Sequence, residues 1–253
     1  MKKLLSIKNV VISILGLLIV WQLVYSIGDF GDALFPSPLG AWEALLKIAR
    51  NGVLIKSIGT SMYRFAVGYI SGVLAAVLLG LILGWFSNAF KYINPVVQLL
   101  RPISPTAWMP FIALWFGIGD VPAIVIIIIA SFFPVLLSTV AAVGGIDPIY
   151  LKVSDNFGIK QPQIMWKVIF PAAFPQIANG IHLALGTAWI FLVAGEMIGC
   201  QSGLGYLIID SRNNIDASTL LAAILVIGVI GLLLDSVLKV LERKILKSWG
   251  GSL

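Results

Sequence analysis

The chain has 253 residues, 59% of them apolar and 11% charged, with a net charge of +6 and a mean hydropathy of +1.02. A soluble domain carries roughly 25% charged residues and cannot hide this much apolar surface from water. The excess therefore faces lipid, and the positive charge belongs to basic loops beside a lipid bilayer rather than to a nucleic-acid site. One cysteine, Cys200, and one histidine, His182, exclude a disulfide framework, a cysteine cluster and a multi-histidine metal site.

Backbone groups in lipid must be satisfied within their own segment, so long apolar runs mean helices. The expectation is an all-α membrane protein with about six transmembrane helices of ~20 residues. Span one is Val10 to Ile27, too long for a secretion signal and followed by no small-x-small cleavage site, so it is read as a retained span ended by Asp29 and Asp32. Phe35-Pro36-Ser37-Pro38 is stiff and non-helical, and Ala41 to Ile48 is a short amphipathic helix at the interface. Span two, about Ser61 to Phe86, carries Gly68, Gly72, Gly80 and Gly84, whose spacing lets another helix approach closely.

Span three, about Ile93 to Ile118, is interrupted by Pro102, Pro105 and Pro110, which leave carbonyls unpaired and predict a protein-buried or wet surrounding. Span four is Val121 to Val143. A polar connection, Gly144 to Gln163, leads to span five, about Pro175 to Ile198. Gly199 to Ser218 reads as a loop, Leu220 to Val240 as span six, and Leu241 to Leu253 as a basic tail. Neither an internal repeat nor a low-complexity linker divides residues 1–253, which read as one membrane domain.

With the N-terminus in the cytoplasm, twelve Lys and Arg residues fall on the cytoplasmic side, and five, Lys47, Arg50, Lys56, Arg64 and Arg212, fall outside. The excess of basic residues on cytoplasmic segments favours this orientation, with both termini inside the cytoplasmic membrane.

The most informative segment is Lys152 to Pro171, KVSDNFGIKQPQIMWKVIFP. Gly158 closes one short helix and turns the chain into the next. Phe157, Ile159, Ile164, Met165, Ile169 and Phe170 supply an apolar face for docking into a partner's groove. Gly158, Val168, Phe170 and Pro171 stand at the positions of the cytoplasmic loop E-A-A-x3-G-x9-I-x-L-P of ABC importer permeases, which this segment resembles. Lys152, Val153 and Ser154 replace the family's opening Glu-Ala-Ala.

Phe35-Pro36-Ser37-Pro38, Arg101 to Gly119, and Ala194 to Ile208 resemble corresponding stretches of permeases in the nitrate/sulfonate/taurine group. The resemblance covers about Phe35 to Lys247. It implies a type I importer permease whose coupling segment, about residues 144–171, includes Lys152, Ser154, Asp155, Phe157, Gly158, Val168, Phe170 and Pro171. It also implies two ATPase subunits, a second permease copy and an extracytoplasmic substrate-binding protein. The implied cargo is an aliphatic sulfonate, taurine or nitrate, with a thiamine pyrimidine precursor or riboflavin as the alternative.

The chain itself is expected to catalyse no reaction and to hold no cofactor or metal. It has no G-x4-G-K-[ST] phosphate loop, so ATP hydrolysis belongs on another chain. An ion-driven carrier would show inverted repeats or more mid-span charges, and a membrane enzyme would show a cluster of polar catalytic groups.

Three residues are candidates for the translocation path. Arg101 either flanks an anion path or snorkels to the interface. Trp108 either lines the path or packs. Glu196 either gates the outer mouth, paired with a cation such as Arg212, or reaches water at a helix end. His182 reads as a hydrogen-bonded packing residue, Asp120 as a loop residue, and Cys200 as a thiol at a helix end.

Overall fold

The computed structural model describes residues 2–28, 31, 34–159 and 163–248, and every regular element among them is a helix. Four segments are long and apolar enough to cross a bilayer. These are α3 (Val53–Trp85), α6 (Asp120–Gly144), α8 (Phe170–Gly199) with the turns that lead into it from Met165, and α10 (Ala217–Ser248). At ~1.5 Å per residue the shortest, with 25 residues, spans the ~30 Å hydrocarbon core. A fifth helix, α1 (Lys2–Gly28), carries a shorter apolar stretch, Ile12–Gly28.

Helix α6 packs between α3 and α8 and forms the centre of the bundle. The α3 face that meets it repeats a small residue every fourth position: Gly68, Gly72, Ala76, Gly80 and Gly84. A methyl group added at Gly68, Gly80 or Gly84 would stand 2.6–2.7 Å from the β-carbons of Ile127, Thr139 and Val143, and at Gly72 it would strike the Ser131 hydroxyl. Gly180 of α8 meets Ser138 of α6 in the same way. Lipid provides no hydrophobic drive between helices, so this close van der Waals approach is what holds them together.

Three aromatic rings join the aliphatic side chains of the same core. Phe65 stacks on Tyr69 at 5.2 Å and meets Trp189 edge-on at 5.3 Å. Their polar tips are used as well: the Tyr69 hydroxyl donates to Ile181 O at 2.6 Å, and Trp189 Nε1 donates to Ile227 O at 3.1 Å, tying α8 to α10.

The shorter elements depart most from the sequence expectation. The amphipathic segment is α2 (Pro38–Arg50), with the Ser37 hydroxyl capping Gly40 N–H at 3.0 Å. Span two begins earlier than expected, at Val53 rather than near Ser61. Span three is not one helix: it is α4 (Ser87–Leu100), a break, a 3-10 turn over Pro105–Trp108, and α5 (Met109–Phe116).

Pro102 and Pro105 bring no N–H to continue the ladder, and Gly117, with φ of +74°, ends it. The stretch expected to be a loop after span five contains α9 (Leu204–Asn213). The connection after α6 holds α7 (Pro148–Asn156). Asp29, Asp32, Lys160 and the end of the basic tail lie outside the described residues.

Candidate functional site

Three places along the bundle concentrate polar or unpartnered groups. They are the α7–α8 connection at one end, a charge cluster at the other, and a cavity between.

The α7–α8 connection is built locally. Asp147 accepts from Ile149 N–H at 2.8 Å and Pro148 opens the helix. Gly158, at φ +69°, reverses the chain after Phe157, and Ile159 N–H closes the turn on Ser154 O at 3.0 Å. Nothing lies within 4 Å of where a Gly158 side chain would begin, so the backbone angle alone requires glycine there. Buried Ser154 donates to Tyr150 O at 2.7 Å. Wide π-type turns over Met165–Ile169 carry the chain into α8, in which Phe170 and Pro171 are the first two residues.

This connection has two apolar faces. Ile159, Ile164, Met165, Val168, Ile169 and Phe170 turn inward onto Leu81, Val143, Ala173 and Ile177. The outward ridge is a different set: Phe157, 78% exposed, with Ile149, Tyr150, Val153 and Trp166. Of the six residues expected to form one docking face, only Phe157 is strongly exposed; the other five seat the segment on its own bundle. Lys152 and Asp155 are exposed beside the ridge.

At the opposite end, Arg64 of α3 is buried to 1% exposure and Glu196 of α8 to 0%. All three nitrogens of the guanidinium donate within the protein. Nη1 donates to Glu196 Oε1 and to Ser202 O, Nη2 to the Ser202 hydroxyl, and Nε to Asp120 Oδ1, each at 2.7 Å. Nη2 also lies 2.6 Å from Asp120 Oδ1.

The Glu196 carboxylate accepts further bonds from the Ser61 hydroxyl at 2.8 Å and from Gly205 N–H at 2.9 Å. Gly203, at φ +104°, passes so close that a β-carbon there would overlap the carboxylate. One cluster thus fastens α3, α6, α8 and the start of α9. Next to it, Gly119 N–H donates to Gly199 O at 3.0 Å and buried Cys200 Sγ to Gly119 O at 3.2 Å.

The expected partner of Glu196, Arg212, is instead exposed beside Asn213. Arg64, counted on the outer side near the start of span two, lies inside α3 and is enclosed. The signal for the pair was a cation and a carboxylate each set within an apolar run, and buried charges require partners.

Between the two ends, Arg101, Ile103, Pro105, Phe133, Thr187 and Phe191 are among the residues lining a cavity of about 390 Å³. Trp108 lies further along, packed on Met109, Ile112 and Ile126. The three residues singled out for a path therefore separate: Arg101 borders the cavity, Trp108 packs beside α6, and Glu196 is enclosed in the charge cluster. His182 is hydrogen-bonded, as expected, with Nε2 2.6 Å from Asp235 Oδ1 of α10; Lys239 holds the other Asp235 oxygen at 2.7 Å.

Comparison with known proteins assigns this helical membrane bundle to a class. Residues 72–247 match the family described as "Binding-protein-dependent transport system inner membrane component". The chain belongs to this family, the permease subunits of ABC importers, and is therefore a multi-pass inner-membrane transport subunit.

Within the family its relatives include permeases named for sulfonates, taurine and nitrate. It is 34% identical to the putative aliphatic sulfonates transport permease protein SsuC of Bacillus subtilis (strain 168), over 92% of this chain and 84% of that one. It is 31% identical to the taurine transport system permease protein TauC of Escherichia coli (strain K12), over 93% and 87%. It is 30% identical to the nitrate import permease protein NrtB of Synechocystis, over 91% and 86%. Among solved structures, a chain of the MetNI methionine ABC transporter shares the fold with a TM-score of 0.64 at 18% identity, covering 78% of this chain and 96% of that one.

Proposed function

We propose that this permease imports a small sulfonate-type anion, taurine or nitrate, driven by ATP hydrolysis on a separate ATPase. The α7–α8 connection, within residues 144–171 of a single membrane domain, is the contact through which that ATPase acts. The observation that carries this reading is the ridge of Phe157, Ile149, Tyr150, Val153 and Trp166. These large apolar side chains are exposed on a segment whose opposite face is anchored to the bundle. An anchored base with an unpartnered apolar ridge is suited to transmit force from a partner's groove.

Gly158 sets the turn, and Lys152, Ser154 and Asp155 flank it on α7. Val168, Phe170 and Pro171 join it to α8, so a push on the ridge reaches a helix of the central bundle. Two ATPase subunits, a second copy of this permease and an extracytoplasmic binding protein complete the machine. Rigid-body movement of the bundle then gives alternating access. The excess of basic residues supports an orientation with the connection and both termini in the cytoplasm and the charge cluster at the outer face. The cargo reading rests on the named substrates of the relatives.

The test is co-purification of the permease with its ATPase. Phe157→Glu is expected to abolish the association or to uncouple ATP hydrolysis from uptake, with the permease itself still folded. Intact assembly and coupled uptake in this variant would sink the proposal.

A further inference from the structure

The cavity bordered by Arg101 has three features that together describe a ligand site. It lies halfway along its two long walls, beside Ile129, Phe133 and Leu137 of α6 and Leu183, Thr187 and Phe191 of α8. Its third wall, Arg101, Ile103 and Pro105, is the break between α4 and the 3-10 turn. Irregular backbone at membrane depth survives only where it is packed in protein or lines a wet cavity. Transport sites recur where interrupted helices meet near the midplane.

The chemistry of the lining is one-sided. Among the described residues, Arg101 is the only charged one that lines it, none of the lining residues is a carboxylate, and Arg101 is exposed with no side-chain partner. This contrasts with Arg64, whose three guanidinium nitrogens all donate within the protein. Open donors leave an arginine able to receive an oxyanion, because its planar fork matches two oxygens at once. The remaining wall is mostly aliphatic and aromatic.

We propose that this cavity is a transit site for a small organic anion with a short apolar tail. The anionic head meets Arg101, and the tail lies on Phe133, Leu137 and Phe191. Resting on the importer reading above, the inference narrows its cargo. A simple alkyl sulfonate fits both parts of the lining. Nitrate would leave the apolar wall without a partner. Taurine would bring an ammonium group to a cavity with no carboxylate among its described lining residues, and such a group is costly to desolvate unpaired.

The experiment reconstitutes the complete transporter, with ATPase and binding protein, in liposomes, and follows ATP-driven uptake of ethanesulfonate at saturating binding protein. Arg101→Gln is expected to lower the maximal uptake rate by about tenfold or more, the scale of one lost charge-assisted contact. Binding-protein-stimulated ATP hydrolysis should be retained, and Arg101→Lys should recover part of the uptake. Leu137→Trp, which fills the apolar wall, is expected to slow hexanesulfonate more than ethanesulfonate.

Unchanged ethanesulfonate uptake in Arg101→Gln overturns the site while leaving the importer reading in place. Loss of ATPase stimulation along with uptake in both Arg101 variants overturns it as well, because the residue then acts on assembly. Uptake confined to neutral or cationic solutes in the unaltered transporter overturns the site and the cargo reading together.

Discussion

The two ends of the bundle handle exposed chemistry in opposite ways. At one end Arg64, Glu196, Asp120, Ser61 and Ser202 satisfy one another, and among the described residues no buried side-chain nitrogen or oxygen is left without a partner. At the other end Phe157, Tyr150, Val153 and Trp166 stand exposed on a well-anchored base. The first end is complete within this chain, and its function is to hold three helices and α9 in one arrangement. The second presents an apolar surface that, on the proposed reading, a partner covers. The difference teaches where this subunit satisfies its own groups and where it leaves apolar side chains exposed.

Breaking the closed end gives the largest expected effect. Arg64→Met leaves Glu196 buried without a cation, and removing one member of a buried pair destabilises by about 3–5 kcal/mol. The single thiol, Cys200, is buried beside this cluster and reports its opening. Cys200 in the variant is expected to react with a maleimide more than ~100-fold faster, provided labelling follows local opening. An unchanged labelling rate would show that the cluster does not hold this end shut.

Charging the open end should act on association and not on folding. Phe157→Glu is expected to weaken ATPase binding by about 2–4 kcal/mol, the range of an interface hot spot, with thermal unfolding of the isolated permease unchanged. A drop in its melting temperature comparable to that of Arg64→Met would erase the distinction between the ends.

Gly158→Ala is expected to be milder, about 1–2 kcal/mol, because only the left-handed backbone angle opposes it. The smallest effect belongs to Asp120→Asn. Asp120 is 52% exposed, so its share of the Arg64 pairing is worth about 1 kcal/mol or less. If Asp120→Asn matched Arg64→Met in the thiol assay, the half-exposed carboxylate rather than Glu196 would be the principal partner.

Much of this was legible in the sequence for definite physical reasons. The four-residue glycine spacing in Ser61 to Phe86 marks the α3–α6 contact because helix geometry puts such residues on one face. Gly158 marks the turn because few other residues accept its backbone angle.

The outward ridge was not legible. Its residues span α7, a reversal and a π-type stretch, so no single helical period runs through them. Helix α9 was missed because Gly203, Gly205, Asp210, Asn213 and Asn214 give it a loop's composition. Its start is secured from a distance instead: Glu196 accepts Gly205 N–H, and the Ser61 hydroxyl accepts Leu204 N–H at 2.8 Å. Arg64 and Glu196 lie 132 positions apart, so only the folded helices reveal them as a pair.

The most direct test of the two-ended account is thiol footprinting of Phe157→Cys, in which Cys200 serves as a shielded internal reference. The account predicts that residue 157 is labelled rapidly in the permease alone and is strongly protected when the ATPase is bound, while Cys200 stays slow in both states. Equal labelling of residue 157 with and without the ATPase would contradict it.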